Sequence, residues 1–197
     1  MIIRETERLR IRNWRESDRD LFAEINSDPK VMEFFPFRRS RLEADALLDR
    51  LSRTIEETGF GFFALALRDS DAPIGFCGLA STDLEPHLPA GTIEIGWRLA
   101  VRHWGKGYVT EAARTLLAYG FADKNLGEIV SFAVPANTRS TAVMQRLGMR
   151  PDPARDFDHP RVSDTHRHLK RHVLYAITAD EWARQAGRAD EGSRARP

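Results

Sequence analysis

Residues 93–113 read IEIGWRLAVRHWGKGYVTEAA, and the fold is decided by this stretch. The first seven residues alternate, with Ile93, Ile95, Trp97 and Leu99 on one side and Glu94, Gly96 and Arg98 on the other, the period of two that marks a strand. From Val109 the period changes: Val109, Ala112, Ala113, Leu116, Leu117 and Phe121 form one stripe at helical spacing. Between the two lies R-H-W-G-K-G-Y, Arg102 to Tyr108, with glycines at 105 and 107. The first backbone N–H groups of a helix have no intrahelical acceptor, and glycine lets a ligand come close to the chain. A strand, a glycine turn and a helix therefore make an anion site, and a pyrophosphate suits it best. On the polar side of the strand, a carboxylate next to a glycine leaves room for something to lie against the backbone.

Two phosphate-binding patterns fail on these residues. A nucleoside-triphosphate loop needs Ser or Thr after Gly-Lys, and Lys106 is followed by Gly107 and Tyr108. A dinucleotide fold needs a third glycine where Thr110 stands and an acidic residue closing the next strand, and neither is found where expected.

Working outward, Glu7–Trp14 alternates as a half-buried strand. Ser17 is expected to cap a short helix carrying Leu21, Phe22 and Ile25, which stops before Pro29. Ala44, Leu47, Leu48, Leu51 and Ile55 mark a second helix ending at Gly59. Phe60–Leu67 and Ile74–Ala80 read as a hairpin, and Asp83–Gly91, with two prolines, as a loop. Beyond the central helix come a strand at Glu128–Val134, a helix at Asn137–Leu147 stopped by Gly148, a strand at His172–Thr178 and a helical turn or two at Asp180–Ala186. The order strand, helix, strand, helix over 92–147 indicates an α/β fold with a parallel or mixed sheet. Gly187–Pro197 is small, charged and apolar-free, and is expected to be a disordered tail after a single domain spanning 1–186.

A chain of 197 residues can bury a sizeable core but leaves little room for two catalytic domains. With 30 Lys+Arg against 29 Asp+Glu, the net charge of +1 gives no field suited to nucleic acid. Lysine occurs only at 30, 106, 124 and 170, and arginine supplies the remaining basic charge. The single cysteine, Cys77, rules out an intramolecular disulfide and a cysteine-clustered metal site. The opening residues carry too many charges for a signal peptide and no apolar run is long enough to span a membrane, so a cytoplasmic protein is expected.

The string R-x-x-G-x-G, at Arg102, Gly105 and Gly107, followed by Y-V-T-E-A-A, resembles the coenzyme A pyrophosphate loop of the GNAT N-acetyltransferases. T-E-R-L-R-I-R-N-W at the start, I-G-F-C-G-L in the hairpin, E-I-G-W-R-L before the loop and N-T-R-S-T-A-V-M-Q-R-L-G-M further on resemble its ribosomal-protein N-terminal acetyltransferase branch, the RimJ/RimL-like proteins. The resemblance covers roughly residues 6–178, apart from Trp97, where the branch usually has tyrosine, and the unmatched segment Pro151–Arg171. It implies a mixed sheet of about six to seven strands, splayed at the acetyl-CoA strand, with helices on both faces. It further implies that the strand carrying Leu99 and Val101 bulges and pairs with the pantetheine arm. The backbone of Arg102, Trp104, Gly105, Lys106, Gly107 and Tyr108, and Thr110 beyond it, would hold the pyrophosphate end. Asn137 would bond the pantetheine, with Ser140 near the sulfur; by itself, Ser140 reads as a helix-start hydroxyl.

Acetyl transfer needs an uncharged amine, a place for the oxyanion and a proton for the departing thiolate. Glu94 is the expected base, since its strand leads into the loop and its side faces away from Ile93 and Ile95. A backbone N–H near Leu99 is the expected oxyanion donor, and Ser140 or a water the proton donor. Should Glu94 be inert, Asp156 or Asp158 in the unmatched segment is the next candidate base. His159, His166, His168 and His172 cluster in sequence, but with Asp158 and Asp164 as the only local carboxylates they read as solvated or substrate-facing rather than as a metal site. Phe34, Phe35, Pro36 and Phe37 form an aromatic knot read as core, with lining of an acceptor pocket as the alternative. The expected reaction is acetyl transfer from acetyl-CoA, with no metal, to a small-molecule or peptide amine such as a protein N-terminus, by a possible homodimer. The alternatives are a non-catalytic acyl-CoA-binding or sensing module and, more distantly, a dinucleotide-dependent oxidoreductase.

Overall fold

The computed structural model describes residues 1–185, so the expected tail and the 186 boundary lie outside the described residues. One mixed sheet organises the chain. Its strands are β1 (Ile2–Glu5), β2 (Leu9–Arg12), β3 (Gly61–Leu67), β4 (Pro73–Ser81), β5 (Ile93–Leu99), β6 (Glu128–Ala133), β7 (Arg150–Pro151), β8 (Phe157–Asp158) and β9 (Arg171–Thr178). The spatial order is β1-β2-β3-β4-β5-β6-β9-β7, with β8 beside β9. Seven of these nine strands have four or more residues, and β7 and β8 are two-residue pairings from the segment that has no match in the family pattern. Every neighbouring pair is antiparallel except β5 and β6.

Helices pack on both faces. Helix α1 (Arg19–Ser27) sets Phe22 against Phe76 of β4, with ring centroids 6.4 Å apart. Helix α3 (Tyr108–Ala118) continues into a π turn at Tyr119–Asp123, where Gly120 lies against Leu79 and Ile129. Phe76 and Leu79 are an odd number of residues apart on one strand, so they face opposite sides. Helix α2 (Arg41–Thr58) begins in a capping box, Ser40 with Glu43, and stops at Gly59. Helix α4 (Thr138–Arg146) is capped by Asn137, and a final helix runs from 179 to 185, the last described residue. The apolar stripes read from the sequence are the buried ones, including Leu21, Phe22, Ile25, Ala112, Ala113, Leu116 and Leu117.

The amino-terminal region differs from expectation in two ways. The strand expected at 7–14 is shorter, 9–12, and forms a hairpin with an unanticipated strand at 2–5. Ser17 is exposed and caps nothing; Asp18 takes the inward position instead. The Asp18 carboxylate accepts from Arg12 Nη1 at 2.6 Å, Arg12 Nη2 at 3.0 Å and the Arg15 N–H at 2.9 Å, inside the core. An arginine on the supposedly wet side of β2 is thereby buried with its own counter-ion.

Candidate active site

β5 and β6 are in register at a single pair, Glu94 with Val130, and diverge beyond it. The edge that this leaves free follows from strand geometry. The N–H of Ala100 donates to Ile74 and the carbonyl of Thr92 accepts from Thr82, so even-numbered residues of β5 turn their backbone groups toward β4. The odd-numbered ones point into the gap, where Trp97 and Leu99 present N–H groups that no strand receives. The Leu99 carbonyl is taken by the Trp104 indole N–H at 2.9 Å.

The gap opens into a cavity of about 1390 Å³, larger than a typical small-ligand pocket. At one end β5 gives way to a 3₁₀ turn at Val101–His103, so Val101 is not on the strand as expected. Gly105 and Gly107 follow with φ of +73° and +80°, a region that side chains rarely adopt, and Gly107 starts α3 without a side-chain cap. A Cβ at Gly105 would meet nothing within 4 Å, so the turn presents bare backbone to open space. Arg8 braces it from 98 residues away: Nη1 donates to the Lys106 carbonyl at 3.0 Å and Nε to Glu111 at 2.7 Å. Thr6 adds a hydroxyl to Glu111 at 2.5 Å. Burial works against the charge on Glu111, but the hydrogen bonds from Thr6 and Arg8 hold its carboxyl below the usual range.

Across the gap, Asn137 caps α4 by accepting from the Ser140 N–H at 3.2 Å, while Arg139 lies over the Trp104 ring at 4.5 Å. Leu99, Trp104, Gly105, Gly107, Tyr108, Thr110, Asn137, Ser140 and Glu94 all line the one cavity. Val101, Arg102 and Lys106 do not: Arg102 is ion-paired with Glu24 on the surface, and the Lys106 side chain is exposed.

The acetyltransferase (GNAT) domain family matches this chain over residues 8–150. The chain belongs to the GNAT acetyltransferase family. The acetyltransferase is 31% identical to YnaD of Bacillus subtilis, an uncharacterized N-acetyltransferase, over 180 residues, 90% of this chain and 97% of that one. It is 34% identical over 90 residues, 45% of this chain and 46% of the other, to YdaF of Bacillus subtilis, named as a putative ribosomal N-acetyltransferase. Among solved structures, a GNAT acetyltransferase from Bacillus anthracis superposes with a TM-score of 0.75 at 27% identity, covering 92% of this chain and all of that one. These likenesses support an acetyl-CoA-dependent N-acetyltransferase.

At the far end of the cavity of the acetyltransferase, burial and then the nearby Asp83 push the Glu94 carboxyl up to about 7, with Arg161 opposing the shift. Arg161 is itself ion-paired with Asp83. His159 and His172 line the same wall with rings 5.0 Å apart. Burial, followed by His172 and Arg161, brings His159 down to about 4, and burial also lowers His172. Among the described residues no group of three or more His, Cys, Asp or Glu could hold a metal, and no helix is long and apolar enough to cross a membrane.

The aromatic knot corrects one expectation. Phe35 and Phe37 are exposed rather than core, and Phe34–Phe37 line the cavity between α1 and α2. The fallback bases are elsewhere: Asp156 accepts from the Leu174 N–H at 2.9 Å and Asp158 faces Arg171, and neither lines the cavity. Asp83, Arg161 and the bracing Arg8 were missed as neighbours of the site. The T-E-R-L motif was a signal for the last of these, but nothing in the sequence pairs residue 8 with residue 111.

Proposed function

We propose that this acetyltransferase moves the acetyl group of acetyl-CoA onto a primary amine by direct attack, with Glu94 as the base and no covalent enzyme intermediate. The observation that carries the reading is the placement of the Glu94 carboxyl in the cavity that also holds the glycine turn, where burial pushes it up to about 7. A base near 7 is well matched to an α-amino group of pKa about 7.7–8.0. Acetyl-CoA supplies the activated acyl group. The free edge of β5 and the uncapped start of α3 fit its pantetheine arm and pyrophosphate. In this reading the Trp97 and Leu99 N–H groups hold the pantetheine and the developing oxyanion, and Arg8 keeps the pyrophosphate turn in shape through Lys106 and Glu111. The Asn137 carboxamide oxygen is committed to its helix, leaving its NH₂ for the pantetheine, and the Ser140 hydroxyl returns a proton to the thiolate.

The acceptor is a protein N-terminus or a small-molecule amine; the name of YdaF favours the former. A cytoplasmic setting follows from the need for acetyl-CoA. The test is thiol release from acetyl-CoA against free amines, polyamines, aminoglycosides and short peptides, with Glu94→Gln alongside. Turnover that Glu94→Gln removes supports the reading; absence of release with every amine would favour an acyl-CoA-sensing module.

A further inference from the structure

Arg98 lines the same cavity as Glu94 and lies on the same face of β5, four residues along. The two Cα atoms are therefore about 13 Å apart along the strand. The Arg98 guanidinium is held between the rings of Phe35, 4.4 Å away, and Phe76, 5.3 Å away. Its one hydrogen bond among the described residues goes to a neutral group, Asn26 Oδ1, at 2.6 Å. Asn26 is itself fully buried, and its NH₂ is committed to the Phe22 carbonyl at 2.7 Å. The Arg98 Nε is enclosed and has no hydrogen-bond partner among the described residues. No carboxylate of the described residues forms an ion pair with the half-buried Arg98, whereas the fully buried Arg12 has both arms on Asp18. Burial and the nearby Arg39 bring Arg98 down to about 10, which leaves it charged at neutral pH.

A half-buried cation lining a cavity without a counter-ion is ready to take one from a ligand. We infer that the acceptor amine carries a carboxylate on the same molecule, and that Arg98 binds that carboxylate while Glu94 receives the amine. The inference rests on the acetyl-transfer reading above. This face of β5 would then offer the Glu94 carboxyl to the amine and the unpaired Arg98 guanidinium to the carboxylate, with Asp83 beside Glu94 already neutralised by Arg161, as an amino acid or short peptide requires. An extended tripeptide spans about 10–11 Å, comparable to the Glu94–Arg98 separation, whereas a free amino acid is shorter. The planar fork of Arg98 suits a carboxylate, and the Phe35 and Phe76 rings beside it fix its orientation.

The test compares matched probes that differ only in the anion. Amino acids, dipeptides and tripeptides with neutral side chains, each as free acid and as C-terminal amide, are assayed for thiol release; the N-acetylated forms are titrated calorimetrically into the CoA-loaded protein. The free acids should exceed the amides by at least about tenfold in kcat/KM and in affinity, at a length the series will reveal. Arg98→Met should bring acid and amide within a few-fold of each other while the KM for acetyl-CoA stays unchanged; Arg98→Lys should retain part of the preference. Equal binding of acid and amide by the parent protein overturns the inference whether or not either variant folds. A loss in Arg98→Met that falls on acetyl-CoA instead would also overturn it and assign the cation to the coenzyme. Failure of the acetyl-transfer reading is seen separately, as no turnover with any amine, and the calorimetric comparison stands in that case.

Discussion

Glu94 is paired with Val130 at the one point where the two parallel strands meet, so the candidate base stands at the apex of the gap proposed for the coenzyme. Its side chain projects from the face of β5 into the cavity, half-buried and close to Asp83. Loss of water there, and then the charge of Asp83, raise its pKa.

With a carboxyl at about 7, kcat should rise with pH through that value as Glu94 loses its proton. Glu94→Gln should lower kcat by about 10²- to 10⁴-fold with CoA affinity unchanged, and the deficit should shrink at high pH where the amine is already neutral. Turnover within a few-fold of the parent at every pH would remove Glu94 from the mechanism.

The raised pKa also has a stability consequence. Between the unfolded value near 4.5 and about 7 the folded state holds the proton and the unfolded state does not, so this group makes stability fall as pH rises through that window. Glu94→Gln should therefore be more stable than the parent at pH 8, by on the order of 1–3 kcal/mol, and close to it at pH 4. Denaturant melts at the two pH values measure the difference.

Gly105 and Gly107 hold left-handed backbone conformations, so Gly105→Val or Gly107→Val distorts the turn as well as filling the space beside it. CoA affinity should drop in both, with the melting temperature changed by only a few degrees. Calorimetry showing parental affinity in both variants would end the assignment of this turn to the coenzyme.

Arg8→Met removes the donor to the Lys106 carbonyl and the partner of Glu111 while keeping most of the side-chain volume. A several-fold rise in the KM for acetyl-CoA, with kcat nearly constant, is expected of a residue that only shapes the binding turn. Steady-state kinetics with acetyl-CoA varied will show it.

Asp18→Asn takes the bidentate partner from the Arg12 guanidinium in the core and leaves only Asp71, 3.4 Å from Nε, to oppose its charge. Breaking a pair of this kind costs about 3–5 kcal/mol, visible in a denaturant melt. A loss below about 1 kcal/mol would mean that Asp71 carries the neutralisation of Arg12 instead.

What the sequence determined by itself was everything encoded in short-range pattern. The alternation over 93–99, the helical stripe after Val109 and the glycines at 105 and 107 depend on backbone geometry within a few residues, and so they were legible without neighbours. Placing Glu94 and Gly96 on one side of β5 belonged to the same class. Tertiary structure alone decided which of those groups lost water and which found partners. Arg12 and Arg98 are both arginines on alternating strands; one is neutralised by Asp18 and the other lines a cavity with no ion pair among the described residues, which depends on elements that fold over each strand. Arg8 reaches Glu111 across 103 residues, and the Phe34–Phe37 knot is turned toward the cavity by the helices on either side of it. Desolvation and long-range pairing are properties of the assembled layers, and no local period records them.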